Sequence, residues 1–165
     1  MKKLTLALAL LLALSALTGC GTEAAPQETT AAPAPAVLDL EAIYDSMISV
    51  ENAPEMLPLD ADMQFNFCGI DPADCAQSLV SICADGLRAD EIWLIEAVDE
   101  AALERIQAAA QTRITAKDEE SITYSPEQNA IVKKAAVMTS GKYFALVVSP
   151  DVDTLADLFR TAAGI

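Results

Sequence analysis

Apolar and polar positions become periodic from Val37 onward. Leu40, Ile43, Tyr44, Met47 and Ile48 recur at i, i+3, i+4, i+7 and i+8, one stripe on a helix of about three turns. Asp39 is placed to cap it, and Pro54 and Pro58 end any continuation. Residues 59–75 follow neither helical nor strand periodicity. Asp60, Asp62, Asp71 and Asp74 are interspersed with Met63, Phe65, Phe67 and Ile70, which predicts a short helix or irregular chain packed on the core. Asp71-Pro72 reads as a cap followed by proline at the first helical position. Ala76–Ala84 then alternates, with Val80 and Ile82 on one face and Leu79 and Cys83 on the other. Asp85-Gly86 signals a turn, and Glu91–Val98 is β-prone and almost wholly apolar, so the two runs predict an antiparallel hairpin.

Asp99 opens a predicted helix to about Thr115, with Leu103, Ile106, Ala110 and Ile114 inward and Glu100, Glu104, Gln107 and Gln111 towards solvent. Ser125-Pro126-Glu127-Gln128 is a capping box that starts a short helix to about Lys133. Ala135–Thr139, a Ser140-Gly141 turn and Tyr143–Val148 form a second hairpin. Phe144, Leu146 and Val148 face one way and Tyr143, Ala145 and Val147 the other, the mark of an interior strand. Val152, Leu155, Leu158 and Phe159 give the last segment a buried helical stripe after Ser149-Pro150-Asp151. The expected fold is α+β: a two-layer sandwich in the order α-ββ-α-ββ-α, with a mainly antiparallel sheet of about four strands and helices on one face.

The N-terminal stretch has a different character. Lys2 and Lys3 precede an apolar run from Leu4 to Leu17, too short for a span of roughly 17–25 residues and suited to a secretory signal. Leu17-Thr18-Gly19-Cys20 resembles the lipobox of bacterial lipoproteins. That resemblance implies recognition of Leu17, Thr18 and Gly19 by the signal peptidase, cleavage before Cys20 and a diacylglycerol on the Cys20 thiol. Two acyl chains hold a protein on a bilayer stably where one does not. Residues 21–36 are rich in Ala, Thr, Pro and Glu and poor in large apolar side chains, a linker composition. The expected organisation is a signal peptide at 1–19, a lipidated cysteine and flexible arm at 20–36, and one globular domain at 37–165.

Charge and chemistry narrow the role. The 165-residue chain carries −15, and loss of Lys2 and Lys3 makes it −17. This argues against nucleic acid as a partner, since affinity there comes mostly from Lys and Arg on phosphates. The absence of histidine removes imidazole-based triads and zinc sites. Cys68, Cys75 and Cys83 remain after lipidation, and Cys68 with Cys75 is the candidate disulfide, closing a short loop. No metal site is expected: the thiols lack paired zinc spacing, and the clusters Asp60/Asp62, Asp71/Asp74, Asp118/Glu119/Glu120 and Asp151/Asp153 lack a calcium-loop pattern. Those acids suit helix caps and solvated surface, and no cofactor motif is present. Trp93 and Tyr143 are expected in the core.

Ala89-Asp90-Glu91-Ile92, the next helix with Leu103 and Arg113, Tyr124-Ser125-Pro126-Glu127-Gln128, Gly141-Lys142-Tyr143 and Val148-Ser149 occur in this order. Together they resemble the bacterial lipoprotein family known as domain of unknown function 4358, over residues 40–163. The resemblance implies no assigned chemistry, and the three cysteines lie outside its pattern. The expectation is an exported lipoprotein on the outer face of the cytoplasmic membrane, or on the outer membrane of a diderm cell. It would contact the bilayer through Cys20 and serve as a non-enzymatic binding or accessory module for an envelope protein, peptide or small ligand. The competing readings are a small hydrolase using a carboxylate pair and a thiol-redox protein using Cys68 and Cys75.

Overall fold

A central antiparallel sheet is covered by helices on both faces. The structure, a computed structural model, describes residues 37–165; the signal segment, Cys20 and the arm lie outside the described residues. Helix α1 (Leu40–Ile48) is followed by β1 (Met56–Pro58), a short α2 (Ala61–Met63) running into a π-helix (Gln64–Cys68), and a 3-10 turn (Pro72–Asp74). Then come β2 (Cys75–Cys83), β3 (Glu91–Ala97), α3 (Glu100–Tyr124), α4 (Pro126–Val132), β4 (Ala136–Ser140), β5 (Tyr143–Val148) and α5 (Val152–Ala163). The sheet order is β1-β2-β3-β5-β4, antiparallel throughout. Both expected hairpins form, and β5 lies inside the sheet beside β3. The α3–α4 excursion carries the chain past β5 to the far edge.

Two features of the sheet and its cover differ from expectation. The sheet has five strands, not four: β1 joins β2 as a three-residue edge with Met56 opposite Cys83. Its Pro58 disguises it, because proline is compatible with an edge strand but reads as a breaker. Helices also cover both faces. Trp93, Ile95, Phe144, Leu146 and Val148 pack with Ala102, Ile106 and Ala110 of α3 and Val132 of α4. Ile92, Leu94, Tyr143, Ala145 and Val147 pack with Leu40, Ile43 and Met47 of α1 and Leu155, Ala156 and Phe159 of α5. Strands apolar on both sides need both sides covered. The unbroken apolar run Tyr143–Val148, with every residue buried, therefore demands the second helical layer.

Local chemistry sets the element ends. Asp39, Asp60, Asp71 and Asp99 each accept a backbone N–H at a helix start, so the scattered aspartates act as caps. Ser125 caps α4 by accepting from the Gln128 backbone N–H. Gly141 turns β4 into β5 with φ +56°, open to glycine at little cost. In the 61–68 segment, Gln64 and Cys68 point into the core, while Met63, Phe65 and Phe67 are exposed.

Helix α3 runs nine residues beyond the expected Thr115, to Tyr124. Its inward stripe continues past Ala110 through Arg113, Lys117 and Ser121, polar residues that a search for apolar periodicity discards. At the sheet centre Trp93 and Phe144 are fully buried with ring centroids 6.4 Å apart and planes tilted by 53°. Phe144→Ala is expected to lower stability by about 3–5 kcal/mol, read as a drop in urea midpoint with little change in slope.

Candidate functional site

The start of β3 places a carboxylate in the core. Glu91 shares a face of β3 with Trp93 and Ile95, looks towards α3 and is completely buried. Arg113 donates through Nε to both carboxylate oxygens at 3.1 Å and through Nη2 to Oε2 at 3.0 Å. The Lys117 ammonium lies 2.7 Å from Oε2, and the Trp93 indole N–H donates to Oε1 at 2.7 Å. The Cys68 thiol lies 4.0 Å from Oε1. Arg113 and Lys117 are four apart on α3, so one helical turn presents both cations to one carboxylate. Burial pushes the Glu91 carboxyl up, but Lys117 and Arg113 outweigh it and hold the group below its ordinary value.

The node extends into the preceding loop. Lys117 Nζ donates to the Ala89 carbonyl at 2.8 Å, and the Ala89 N–H donates to Gln128 Oε1 at 2.8 Å. Both backbone groups of Ala89 are thus satisfied by side chains from α3 and α4. Asn129 ties the two helices by donating to Asp118 Oδ1 at 2.6 Å and to Ser121 Oγ at 3.2 Å. Arg88 donates to Asp90 at 3.0 and 3.2 Å. Between the β2–β3 loop, α3 and α4 lies a cleft of about 120 Å³. Arg88, Arg113 and Lys117 line it together with Ile82, Val132 and Tyr124.

A second ion pair clamps the other end of α3. Arg105 donates to Asp74 through Nε and Nη2, the shortest contact being 2.6 Å. Its hydrogen bonds hold the Asp74 carboxyl below the usual range.

The cysteines stay unpaired. Cys68, Cys75 and Cys83 are all free, so the disulfide expected between Cys68 and Cys75 is not formed. Cys68 faces Glu91, whereas the Cys75 thiol lies 3.7 Å from the Asp71 carbonyl oxygen. Burial, with Glu91 nearby, pushes the Cys68 thiol up to about 12. Burial and then Asp74 and Asp71 push Cys75 up to about 11. Among the described residues, no three His, Cys, Asp or Glu side chains gather as a metal site, and no helix is long and apolar enough to cross a membrane.

These features define an α/β/α three-layer domain with a buried ionic node and an adjoining polar cleft. The chain belongs to the family described as "Domain of unknown function (DUF4358)", whose model matches residues 49–149. No curated protein and no solved structure shows a match to the chain. Four of the residues that carried the resemblance meet in pairs: Ala89 is held by Gln128, and Glu91 by Arg113. Lys117, Trp93 and Gln64 are further buried or half-buried polar participants in this layer. Gln64 donates to the Leu59 carbonyl at 2.8 Å. Lys117 was legible only as the continuation of the Ile106, Ala110, Arg113 spacing.

Glu91→Gln leaves two cations around a neutral amide and is expected to cost about 3–5 kcal/mol, measured by urea unfolding. Glu91 and Asp74 both have depressed carboxyls, so their contribution is present above the unfolded carboxylate range and lost as pH falls through their folded values. The urea midpoint should therefore fall on acidification below about pH 4, less steeply in Asp74→Asn. The raised thiols predict that iodoacetamide modifies Cys68 and Cys75 far more slowly in the folded than in the urea-unfolded chain at neutral pH, as read by mass spectrometry.

Proposed function

We infer that the protein is a lipid-anchored, extracytoplasmic binding module with no catalytic chemistry of its own. The observation that carries the non-catalytic half is the state of Glu91. This carboxylate is fully buried, accepts from Arg113, Lys117 and Trp93, and is held ionised. A general acid must carry a proton, and a nucleophile needs a free lone pair facing substrate. Glu91 offers neither. Cys68 and Cys75, held as protonated thiols, speak against the redox alternative in the same way.

The anchoring half is supported by Leu17-Thr18-Gly19-Cys20 after a short apolar run. In this reading the thiol of Cys20 carries the diacylglycerol and residues 21–36 form the arm. The domain faces outward from the cytoplasmic membrane, or sits on the outer membrane of a diderm cell, and engages an envelope protein, peptide or small ligand. Its net charge of −17 after cleavage keeps it off an anionic headgroup surface within about one Debye length, ~8–10 Å.

Intact mass of protein purified from native membranes tests the anchor. The expected species begins at residue 20 and carries the added mass of a diacylglycerol; Cys20→Ala should remove that mass and the membrane fraction. Retention of residues 1–19, or a bare Cys20, would overturn it. Turnover of a defined substrate that Glu91→Gln abolishes in a folded variant would overturn the non-catalytic reading.

A further inference from the structure

Residues 37–165 contain eight basic side chains against 23 acidic ones, yet three of the eight, Arg88, Arg113 and Lys117, line one cleft. Arg88 is matched by Asp90. Arg113 and Lys117 share the single buried charge of Glu91, so the inner wall keeps one positive charge, balanced across the cleft only by the exposed Glu120. Their donors are also incompletely spent. Lys117 has three N–H bonds, and Glu91 and Ala89 take two. Arg113 uses Nε and Nη2 on Glu91, leaving Nη1 without a partner among the described residues. Ile82, Val132 and the half-exposed ring of Tyr124 supply apolar lining to the same cleft.

Size and charge select the ligand class. A cleft of about 120 Å³ holds the equivalent of about four water molecules. This suits a ligand of a few heavy atoms. The inner positive charge matches a single negative charge; the second charge of a phosphate dianion would have no counter-charge left and would face Glu120. We propose that this cleft binds a short aliphatic carboxylate, its charged end on Lys117 and Arg113 and its alkyl part against Ile82, Val132 and Tyr124. The bonds of Gln128 to Ala89 and of Asn129 to Asp118 and Ser121 hold the walls in place beforehand, which lowers the ordering cost of binding. The proposal rests on the binding-module reading and names its ligand.

Trp93 is the chain's sole tryptophan and donates to the carboxylate that Arg113 and Lys117 share, so it reports on the site. The test titrates the full chain with propionate, its neutral analogue propionamide, and chloride at constant ionic strength. Trp93 fluorescence and the amide signals of Ala89 and Ser121 are the readouts. Propionate should give saturable millimolar binding, with no saturation by propionamide or chloride. Glu120→Gln removes a rim charge of the ligand's sign and should tighten binding about threefold. Gly86 lines the mouth, and a Cβ there meets nothing within 4 Å. Gly86→Phe should therefore fold normally and weaken binding by about tenfold or more. Absence of saturation, equal response to propionamide or chloride, or wild-type affinity in both variants overturns the proposal and leaves the anchor untouched. Consumption of propionate, seen as loss of its own proton signals, would instead overturn the non-catalytic reading.

Discussion

Burying the carboxylate of Glu91 constrains everything around it. A lone carboxylate there would be prohibitively costly, so the fold must deliver counter-charges and donors to that point. It does so from β3 itself through Trp93 and from one turn of α3 through Arg113 and Lys117. Because these groups have directional geometry, satisfying Glu91 fixes the rotation and position of α3 along the sheet. An apolar contact alone would tolerate sliding. The Asp74–Arg105 pair at the other end of the helix adds a second fixed point.

The same interaction organises the loop between β2 and β3. Lys117 spans Glu91 and the Ala89 carbonyl, and Gln128 closes the other side of Ala89 from α4. Part of the family pattern, Ala89, Glu91, Arg113 and Gln128, becomes one connected device at this place. It is a structural device first: the buried charge is spent on holding elements together. The cleft lies where that device meets solvent, and its residual positive charge is a by-product of using two cations for one carboxylate. A binding function there needs no group beyond those the fold already requires.

The acidic exterior serves a different end. Aspartates that cluster in sequence are spent singly in the structure, as caps of α1, α2, the 3-10 turn and α3. Each relieves unpaired N–H groups at a helix start. Apart from the buried Asp74, Asp90 and Glu91 and the half-buried Glu96 and Asp118, the other acids face solvent and give the domain its charge. For a domain proposed to hang from a lipid on a short arm, that charge sets its stand-off from the bilayer.

The sequence by itself determined the elements whose signals are local. Asp39 and Asp99 mark helix starts, the Ser125–Gln128 box marks α4, and the unbroken apolar run Tyr143–Val148 marks an interior strand, because caps and runs involve residues near in the chain. It also carried the family, through motifs that keep their order. The tertiary structure decided what depends on distant partners. Met56–Pro58 becomes a strand only because β2 offers it an edge. The end of α3 stays helical because Arg113, Lys117 and Ser121 find polar partners inside, where a hydrophobic pattern shows nothing. Glu91, an ordinary acid in a strand-like run, became the centre of the fold because two cations 22 and 26 residues further along the chain close on it in space.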